Sequence, residues 1–226
     1  MRLLLTLLLL TLLLTLLLLT TTLPAQDTPK TLGVLLFPGF ELLDATGPLE
    51  VWGNLKDRVK IVTLAPEKGP VTSSQGITLI ADHALTDTPP LDLLLVPGGF
   101  GVRKLLKDTA TLAWLKKTTT STPLTMSVCN GASLLAATGL LDGRPATTNK
   151  AYWTQATKPG PKVNWIRQAR WIDDGTIVTS SGVTAGIDMT LHIVARLYGQ
   201  PVAQTAANQI EHIWHQDPKN DPFAPK

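Results

Sequence analysis

Cysteine is almost absent from this sequence, with the single residue Cys129 in 226 positions. A chain with one thiol cannot form an intramolecular disulfide. In secreted proteins, which reach oxidising compartments, structural cysteines usually occur in disulfide pairs. Three roles remain for Cys129. It is a small buried apolar residue, an intermolecular cross-link or a reactive thiol.

The chain also lacks a strong excess of charge. Twenty Lys and Arg residues against 17 Asp and Glu give a formal net charge of +3, and the positive residues are scattered rather than gathered in a stripe. Nucleic-acid-binding domains carry a clustered basic surface. We therefore expect no nucleic-acid partner.

The hydrophobic fraction of 44% is inflated by the N-terminus, where a run of Leu and Thr extends from Leu3 to Leu19. Arg2 precedes this run, and Pro24-Ala25-Gln26 follows it as a candidate small-residue cleavage site. This pattern is typical of a secretory signal peptide over residues 1–25, which predicts a secreted or periplasmic mature protein. The apolar run approaches the ~18 residues of a spanning helix, so an uncleaved membrane anchor is the alternative.

About 200 residues remain after the leader, which suits one domain with a sizeable core. We place this domain at residues 26–215. The polar, proline-containing segment 216–226 is expected to be a loose C-terminal tail.

Short apolar runs bounded by Gly, Pro or polar residues are typical of buried strands in a parallel sheet. The predicted strands are Leu32–Phe37, Val59–Leu64, Leu91–Val96 and Leu124–Val128, with a possible edge strand at Ile77–Ala84 and a hairpin in Ala169–Thr179 that turns at Asp174-Gly175. The predicted helices are Leu49–Leu55, Thr109–Lys117, Ala132–Ala137, Ala185–Tyr198 and Val202–His215. This alternation predicts a doubly wound α/β fold, with a mostly parallel sheet, helices on both faces and a ligand crevice at the carboxyl ends of the strands.

Cys129 lies directly after one predicted strand and directly before a helix. A sharp turn at this point would present the sulfur above the sheet, as in a nucleophile elbow. The N-terminus of the following helix would then favour the thiolate and lower the pKa of the thiol. A small buried cysteine at a strand end is the alternative.

Two glycine-containing turns are expected at the same crevice. Gly98 and Gly99, in "VPGGFGVR", offer backbone N–H groups that could form an oxyanion site together with the N–H of Asn130. Gly182 and Val183, in "SSGVTAGIDM", follow another strand and could line a pocket for an apolar substituent.

Asp44 lies in the apolar stretch "LLFPGFELLDATGPLEVW" before Gly47-Pro48, and Pro48 suits the first turn of a helix. Taken alone, this position indicates a helix cap. A carboxyl group that instead faced the thiol in a dry pocket would have a raised pKa and could transfer protons.

Four segments carry a family resemblance that extends from about Thr31 to His215: "LLDATGPLEVW", "VPGGFGVR", "SVCNGASLLAATGLLDGRPATT" and "SSGVTAGIDMTLHIVARLYG". They resemble the ThiJ/PfpI superfamily, of the class I glutamine amidotransferase-like fold, and within it the isonitrile hydratase-type branch. The resemblance implies that Cys129 is a nucleophile and Asp44 its acidic partner. It implies addition of water to an isonitrile to give an N-substituted formamide, in a homodimer without a cofactor.

The sequence departs from that branch at two positions, since Asn130 stands where Thr is typical and Asn149 where His is typical. His192, within a predicted helix, is expected to be a core or surface residue. His212 and His215 have a spacing that can hold a metal, but no third ligand is evident, so we predict no metal site.

Two other functions remain open. One is a different cysteine-dependent hydrolase or lyase acting on small carbonyl compounds. The other is a non-enzymatic protein, either a redox or stress protein with an oxidisable thiol or a ligand sensor, since the same fold is the sensing half of AraC-type regulators. A regulator requires a DNA-binding extension, and the export signal argues against transcription control.

Overall fold

The computed structural model describes residues 28–225, and the predicted leader, residues 1–25, lies outside them. Its main feature is a seven-stranded sheet. The strands are β1 (Lys30–Leu35), β2 (Val59–Ala65), β5 (His83–Ala84), β6 (Leu93–Val96), β7 (Leu124–Ser127), β10 (Trp171–Asp174) and β11 (Ile177–Ser180). They lie in the order β10-β11-β7-β6-β1-β2-β5. All neighbours pair in parallel except β10 and β11, which are antiparallel.

Two small sheets complete the strands: β3 (Gly69–Thr72) pairs with β4 (Thr78–Ala81), and β8 (Pro145–Ala146) pairs with β9 (Asn164–Trp165). The helices are α1 (Leu42–Gly53), α2 (Val102–Leu105), α3 (Thr109–Ser121), α4 (Gly131–Ala137), α5 (Trp153–Thr157), α6 (Ala185–Tyr198) and α7 (Gln200–Gln209). The doubly wound α/β fold predicted from the sequence is confirmed.

The central strands are apolar because both faces of the sheet are covered. Every residue of β6, β7 and β11 is buried, as continuous apolar runs predict for a parallel sheet. The four predicted strands are present with ends shifted by up to two residues. The predicted hairpin is also present, and Gly175 at its turn has a φ of +78°, a conformation that glycine adopts without strain.

Helix α1 differs from the prediction. It begins at Leu42, so Pro48 lies inside the helix rather than in its first turn. Proline there removes the hydrogen bond that its N–H would give to the carbonyl four residues earlier, at Asp44. Burial of Val51 and Trp52 against the core offsets this loss. The early start places Asp44 in the first turn of the helix.

Two further predictions are wrong in detail. The expected strand Ile77–Ala84 is divided between β4, which belongs to a separate hairpin, and β5, which pairs with β2 at the edge of the sheet. Helix α7 ends at Gln209 rather than His215.

The C-terminal segment is anchored rather than loose over its described residues. The Arg170 N–H donates to the Pro218 carbonyl, and the Asp221 N–H donates to the Gln168 carbonyl, both at 2.8 Å. The Asp221 side chain is buried. Between residues 28 and 225 no helix is both long and apolar enough to cross a membrane.

Candidate active site

Cys129 occupies a strained turn between β7 and α4. Its φ is +58°, in the left-handed region that is uncommon for residues other than glycine. Both of its backbone groups are held, because its N–H donates to the Ser181 carbonyl at 3.0 Å and its carbonyl accepts from Thr148 Oγ1 at 2.8 Å. Gly131 allows the turn to pack closely, since a Cβ there would lie 2.2 Å from the Val96 carbonyl oxygen. The predicted nucleophile elbow is therefore the observed geometry.

Asp44 faces this turn from the first turn of α1 and is completely buried. Its Oδ2 accepts a hydrogen bond from the Gly98 N–H at 2.9 Å. Its Oδ1 has no hydrogen-bond partner among the described residues. The interpretation of Asp44 as a cap for a helix after Gly47-Pro48 is wrong, because the side chain contacts a loop on a different strand.

Burial dominates the electrostatics of Asp44 and Cys129. Desolvation raises the pKa of Asp44 to about 7, the Gly98 N–H opposes that rise, and the charge of Glu41 adds to it. The Cys129 side chain and the Val183 N–H also favour the Asp44 carboxylate. Desolvation, followed by the charge of Asp44, raises the pKa of the Cys129 thiol well above its ordinary value.

The expectation of a lowered thiol pKa is therefore not met. Cys129 is only 7% exposed, and helix α4 has only seven residues. The partial positive charge at the N-terminus of this short helix stabilises the thiolate. Burial and the neighbouring carboxylate destabilise the thiolate by more, so the pKa rises. Thiol and carboxyl form a coupled pair in which the carboxyl loses its proton first.

The double glycine has a different role from the one predicted. The Gly98 N–H is bound to Asp44, and the Gly99 N–H donates to Asn130 Oδ1 at 2.7 Å. Asn130 Nδ2 donates in return to the Gly99 carbonyl at 3.2 Å. Neither glycine N–H is free as an oxyanion donor. The Asn130 N–H instead faces the Cys129 sulfur, where it favours the thiolate.

Val183 lines the cleft that leads to Cys129, and Gly182 packs against Asn149, which lines it too. Val183 has a φ of +46°, which is rare for a β-branched residue, and its N–H faces Asp44. A Cβ at Gly182 would lie 2.5 Å from Asn149 Nδ2, so a side chain there would displace the Asn149 amide. Asn149 Oδ1 accepts from the Tyr152 N–H at 2.8 Å, and the Asn149 amide faces the Cys129 sulfur.

An open cleft of about 680 Å³, measured to include its solvent-filled mouth, leads to Cys129. Val183 and Ala156 contribute apolar lining, and Phe100 and Tyr152 flank the entrance. The two aromatic rings are in edge contact with centroids 6.1 Å apart, and both residues are about half exposed. The cleft therefore places apolar side chains, the charged residues Glu41 and Arg103 and the thiol around one space. The buried Asp44 carboxyl lies beside the thiol.

Comparison with known proteins identifies the family. The sequence profile of the DJ-1/PfpI family matches residues 30–196. This chain belongs to the DJ-1/PfpI family. It is 38% identical over 182 residues to the isonitrile hydratase of Pseudomonas putida, covering 80% of this chain and 78% of that protein.

Other DJ-1/PfpI relatives differ in function. The HTH-type transcriptional regulator CdhR of Pseudomonas aeruginosa is 31% identical over 77% of this chain, and the match spans about half of that regulator, 53%. A ThiJ/PfpI family protein from Pseudomonas syringae superposes with a TM-score of 0.73 at 28% identity, covering 92% of this chain and 86% of that one. The family is thus established, and it contains both enzymes and regulators.

Among residues 28–225, no histidine lines the cleft that leads to Cys129. His192 is hydrogen-bonded to Asp173 at 2.8 Å, and His212 is bound to Asp188 at the same distance. His212 and His215 follow α7 rather than sharing one helical face. Within residues 28–225 no group of three His, Cys, Asp or Glu side chains is arranged to hold a metal ion.

Proposed function

We propose that this DJ-1/PfpI protein is a hydratase that adds water to an isonitrile and releases an N-substituted formamide. One observation carries the proposal: a buried carboxyl with a pKa of about 7, and with one oxygen unpaired among residues 28–225, faces a thiol that lines a partly apolar cleft. The likeness to the Pseudomonas putida isonitrile hydratase supports the choice of reaction.

The first step forms a bond between Cys129 and the substrate. The Asp44 carboxylate takes the thiol proton as the sulfur attacks the terminal carbon of R–N≡C. The lone pair on that carbon then takes the proton from Asp44. The product of the step is a thioimidate, R–N=CH–S–Cys129, and the Asp44 carboxylate is restored.

The second step adds water to the thioimidate carbon. Asp44 removes a proton from the water as its oxygen attacks, and the same proton passes to the nitrogen, giving R–NH–CH(OH)–S–Cys129. The carbon–sulfur bond then breaks, the hydroxyl proton returns through Asp44 to sulfur, and R–NH–CHO leaves. The sum is one isonitrile and one water converted to one formamide.

Asp44 suits this work because the same group must accept and donate protons near neutral pH. A base with a pKa near the working pH serves both directions, whereas an ordinary Asp, at 3.8, is a poor acid at pH 7. The Asn130 N–H and the Asn149 amide face the sulfur and would stabilise it as it leaves. The substituent R would contact Val183 and the aromatic residues Phe100 and Tyr152.

A substrate panel tests the reaction. Aryl and alkyl isonitriles and small aldehydes, ketoaldehydes and esters would be incubated with the wild-type protein and with Cys129→Ala, and products followed by NMR. We expect formamide from the isonitriles with wild type only. Turnover of carbonyl substrates alone would replace the hydratase with another cysteine-dependent hydrolase or lyase. Tight binding without turnover would favour the ligand-sensing function for which the regulators in the family provide a parallel.

We further propose that the leader directs export, with cleavage near Ala25, and that the mature domain forms a homodimer. The support is the Leu-rich run after Arg2 and the default two-fold symmetry of small oligomers. N-terminal sequencing of the exported fraction tests the cleavage site, and Met1 retained in a membrane pellet would indicate an anchor. Light scattering that gives the mass of one mature chain would exclude the dimer.

A further inference from the structure

Four charged side chains are buried together behind the site, and the proposed chemistry uses none of them. Lys150, Arg170, Asp188 and Asp221 are each at most 7% exposed. Arg170 Nε donates to Asp188 Oδ2 at 2.8 Å. Asp221 lies between the two cations, with Oδ1 3.7 Å from Arg170 Nη1 and Oδ2 3.8 Å from Lys150 Nζ.

Lys150 donates hydrogen bonds to two residues of the turn Thr147–Asn149 and to Ala169. Its Nζ donates to Thr147 Oγ1 at 2.7 Å, to the Thr148 carbonyl at 3.2 Å and to the Ala169 carbonyl at 2.7 Å. An ammonium group has three donors, so all are used. Removal of the amine would take its bond to Nζ from Thr147 Oγ1 and the Thr148 carbonyl, and would leave the Ala169 carbonyl with only the Thr147 Oγ1 donor at 3.2 Å. These losses would destabilise the turn in its present position.

The same turn makes two contacts with Cys129. Thr148 Oγ1 donates to the Cys129 carbonyl at 2.8 Å, which helps to hold the left-handed backbone of the elbow. The Asn149 amide faces the sulfur, and its orientation is fixed by the Tyr152 N–H on Oδ1. The turn therefore controls both the position of the thiol and the donor that favours its thiolate.

The C-terminal segment supplies the counter-charge for Lys150. Asp221 is brought to the cluster by backbone hydrogen bonds between residues 218–221 and residues 168–170. Burial lowers the pKa of Lys150 to about 8, and the charge of Asp221 opposes that change. Without Asp221, the ammonium group of Lys150 would lose this attractive charge while the like charges of Arg170 and Arg167 remained.

We propose that Lys150, paired with Asp221 of the C-terminal segment, is a positioning residue that holds the turn Thr147–Asn149 against Cys129 and so sets the reactivity of the thiol. Lys150 does not touch the sulfur and acts through Thr148 and Asn149. The inference concerns the thiol and not the substrate, so its test needs no isonitrile and stands apart from the outcome of the hydratase assay.

The test measures the rate at which iodoacetamide alkylates Cys129 at pH 7, where Lys150 is charged. In Lys150→Met the turn loses its anchor and the sulfur loses the Asn149 donor, so the thiol pKa rises. A rise of about one unit lowers the thiolate fraction tenfold, and the higher intrinsic nucleophilicity of the thiolate offsets part of that loss. We expect alkylation to slow by about threefold or more. Asp221→Asn should act in the same direction.

Two controls separate positioning from general damage. Asp173→Asn also removes a carboxylate from an ion pair, with Arg196, but Asp173 does not contact the turn, so its alkylation rate should match wild type. The second control places Lys150→Met in the Thr148→Val/Asn149→Leu background, which lacks both contacts with Cys129. If Lys150 acts through the turn, its replacement there has no further effect on the rate.

Three outcomes would overturn the proposal. They are an unchanged or faster alkylation rate in Lys150→Met, an equal slowing in Asp173→Asn, or a full effect of Lys150→Met in the background without the two contacts. Circular dichroism and thermal unfolding confirm that each variant is folded. If Lys150→Met does not fold, the comparison of Asp221→Asn with Asp173→Asn decides the matter by the same criteria.

Discussion

Asp44 Oδ2 is bound to the Gly98 N–H at 2.9 Å, while Asp44 Oδ1 is buried without a hydrogen-bond partner in the described part of the chain. One oxygen fixes the orientation of the carboxyl, and the other stays available for a proton. This arrangement suits Asp44 to the proton transfers that the proposed hydratase reaction requires.

The pH dependence of turnover follows from the proton count of the Cys129–Asp44 pair. The active form holds one proton, with Asp44 ionised and the thiol protonated. The pKa of Asp44 is about 7 and that of the thiol is well above 9. We therefore expect kcat/KM for an isonitrile to rise through pH 7, reach a plateau and fall only in strongly alkaline solution. The rising limb should vanish in the residual activity of Asp44→Asn. A value of kcat/KM that falls between pH 6 and 8 would contradict the assignment of an ionised Asp44 and a protonated Cys129 to the active form.

Folding stability should depend on pH through the same carboxyl. Because burial raises the folded-state pKa of Asp44 from 3.8 to about 7, its favourable contribution is complete below pH 4 and is lost as pH rises through 7. Asp44→Asn has no such loss, so its free energy of unfolding relative to wild type should increase by about 2 to 4 kcal/mol across that window.

Urea unfolding at intervals between pH 4 and pH 8 measures this difference. Asp108→Asn is a suitable control, because contacts with Thr111 lower the pKa of Asp108 and its effect should be flat above pH 5. An equally flat difference for Asp44→Asn would show that the carboxyl is not desolvated.

The reactivity of the thiol distinguishes burial from activation by the helix. Wild-type Cys129 should be alkylated at pH 7 more slowly than a free cysteine, because burial and Asp44 raise its pKa. Asp44→Asn removes the negative charge and should speed alkylation by about threefold or more. Stopped-flow or mass-spectrometric labelling gives both rates. Fast labelling of the wild-type thiol at pH 6 would contradict the raised pKa and would support a thiolate stabilised by helix α4.

Gly98→Ala tests the loop that orients the carboxyl. A Cβ at this position would lie 2.2 Å from Asn130 Oδ1 and 2.9 Å from Asp44 Oδ2, so both contacts must shift. Because small displacements of reacting groups are costly, we expect kcat to fall about 10²-fold. Gly53→Ala is the control, since a Cβ there meets nothing within 4 Å. A kcat in Gly98→Ala equal to that of wild type would show that the loop at Gly98 is not needed to orient the carboxyl for turnover.

The parts of the site that the sequence predicts are those that depend on local order along the chain. Cys129 at a strand–helix junction and Gly182-Val183 after another strand follow from the parallel topology, which brings the carboxyl ends of strands to one edge. The elbow at Cys129 could therefore be predicted without coordinates. The identity of Asp44 as its partner came from a family resemblance, because its local position indicates only a cap.

The rest depends on contacts between distant segments. The Gly99 N–H donates to the side chain of Asn130, which lies 31 positions later in the sequence. No sequence pattern indicates that this donor is already used. Desolvation of Cys129 likewise depends on how deeply the turn is packed, so the direction of its pKa shift could not be read from the adjacent helix. The anchoring of Asp221 is a third example, since nothing in the composition of the polar C-terminal segment indicates an ion pair with the buried Lys150.

The most direct test of the account is formamide formation from an aryl isonitrile by wild type, Cys129→Ala and Asp44→Asn, measured side by side at pH 8. Asn can still accept the Gly98 hydrogen bond but cannot carry a proton, so the fold should be kept while the proton transfer is lost. The account predicts no turnover in Cys129→Ala and a loss of about 10²-fold or more in Asp44→Asn. Turnover by Asp44→Asn at the wild-type rate would contradict it.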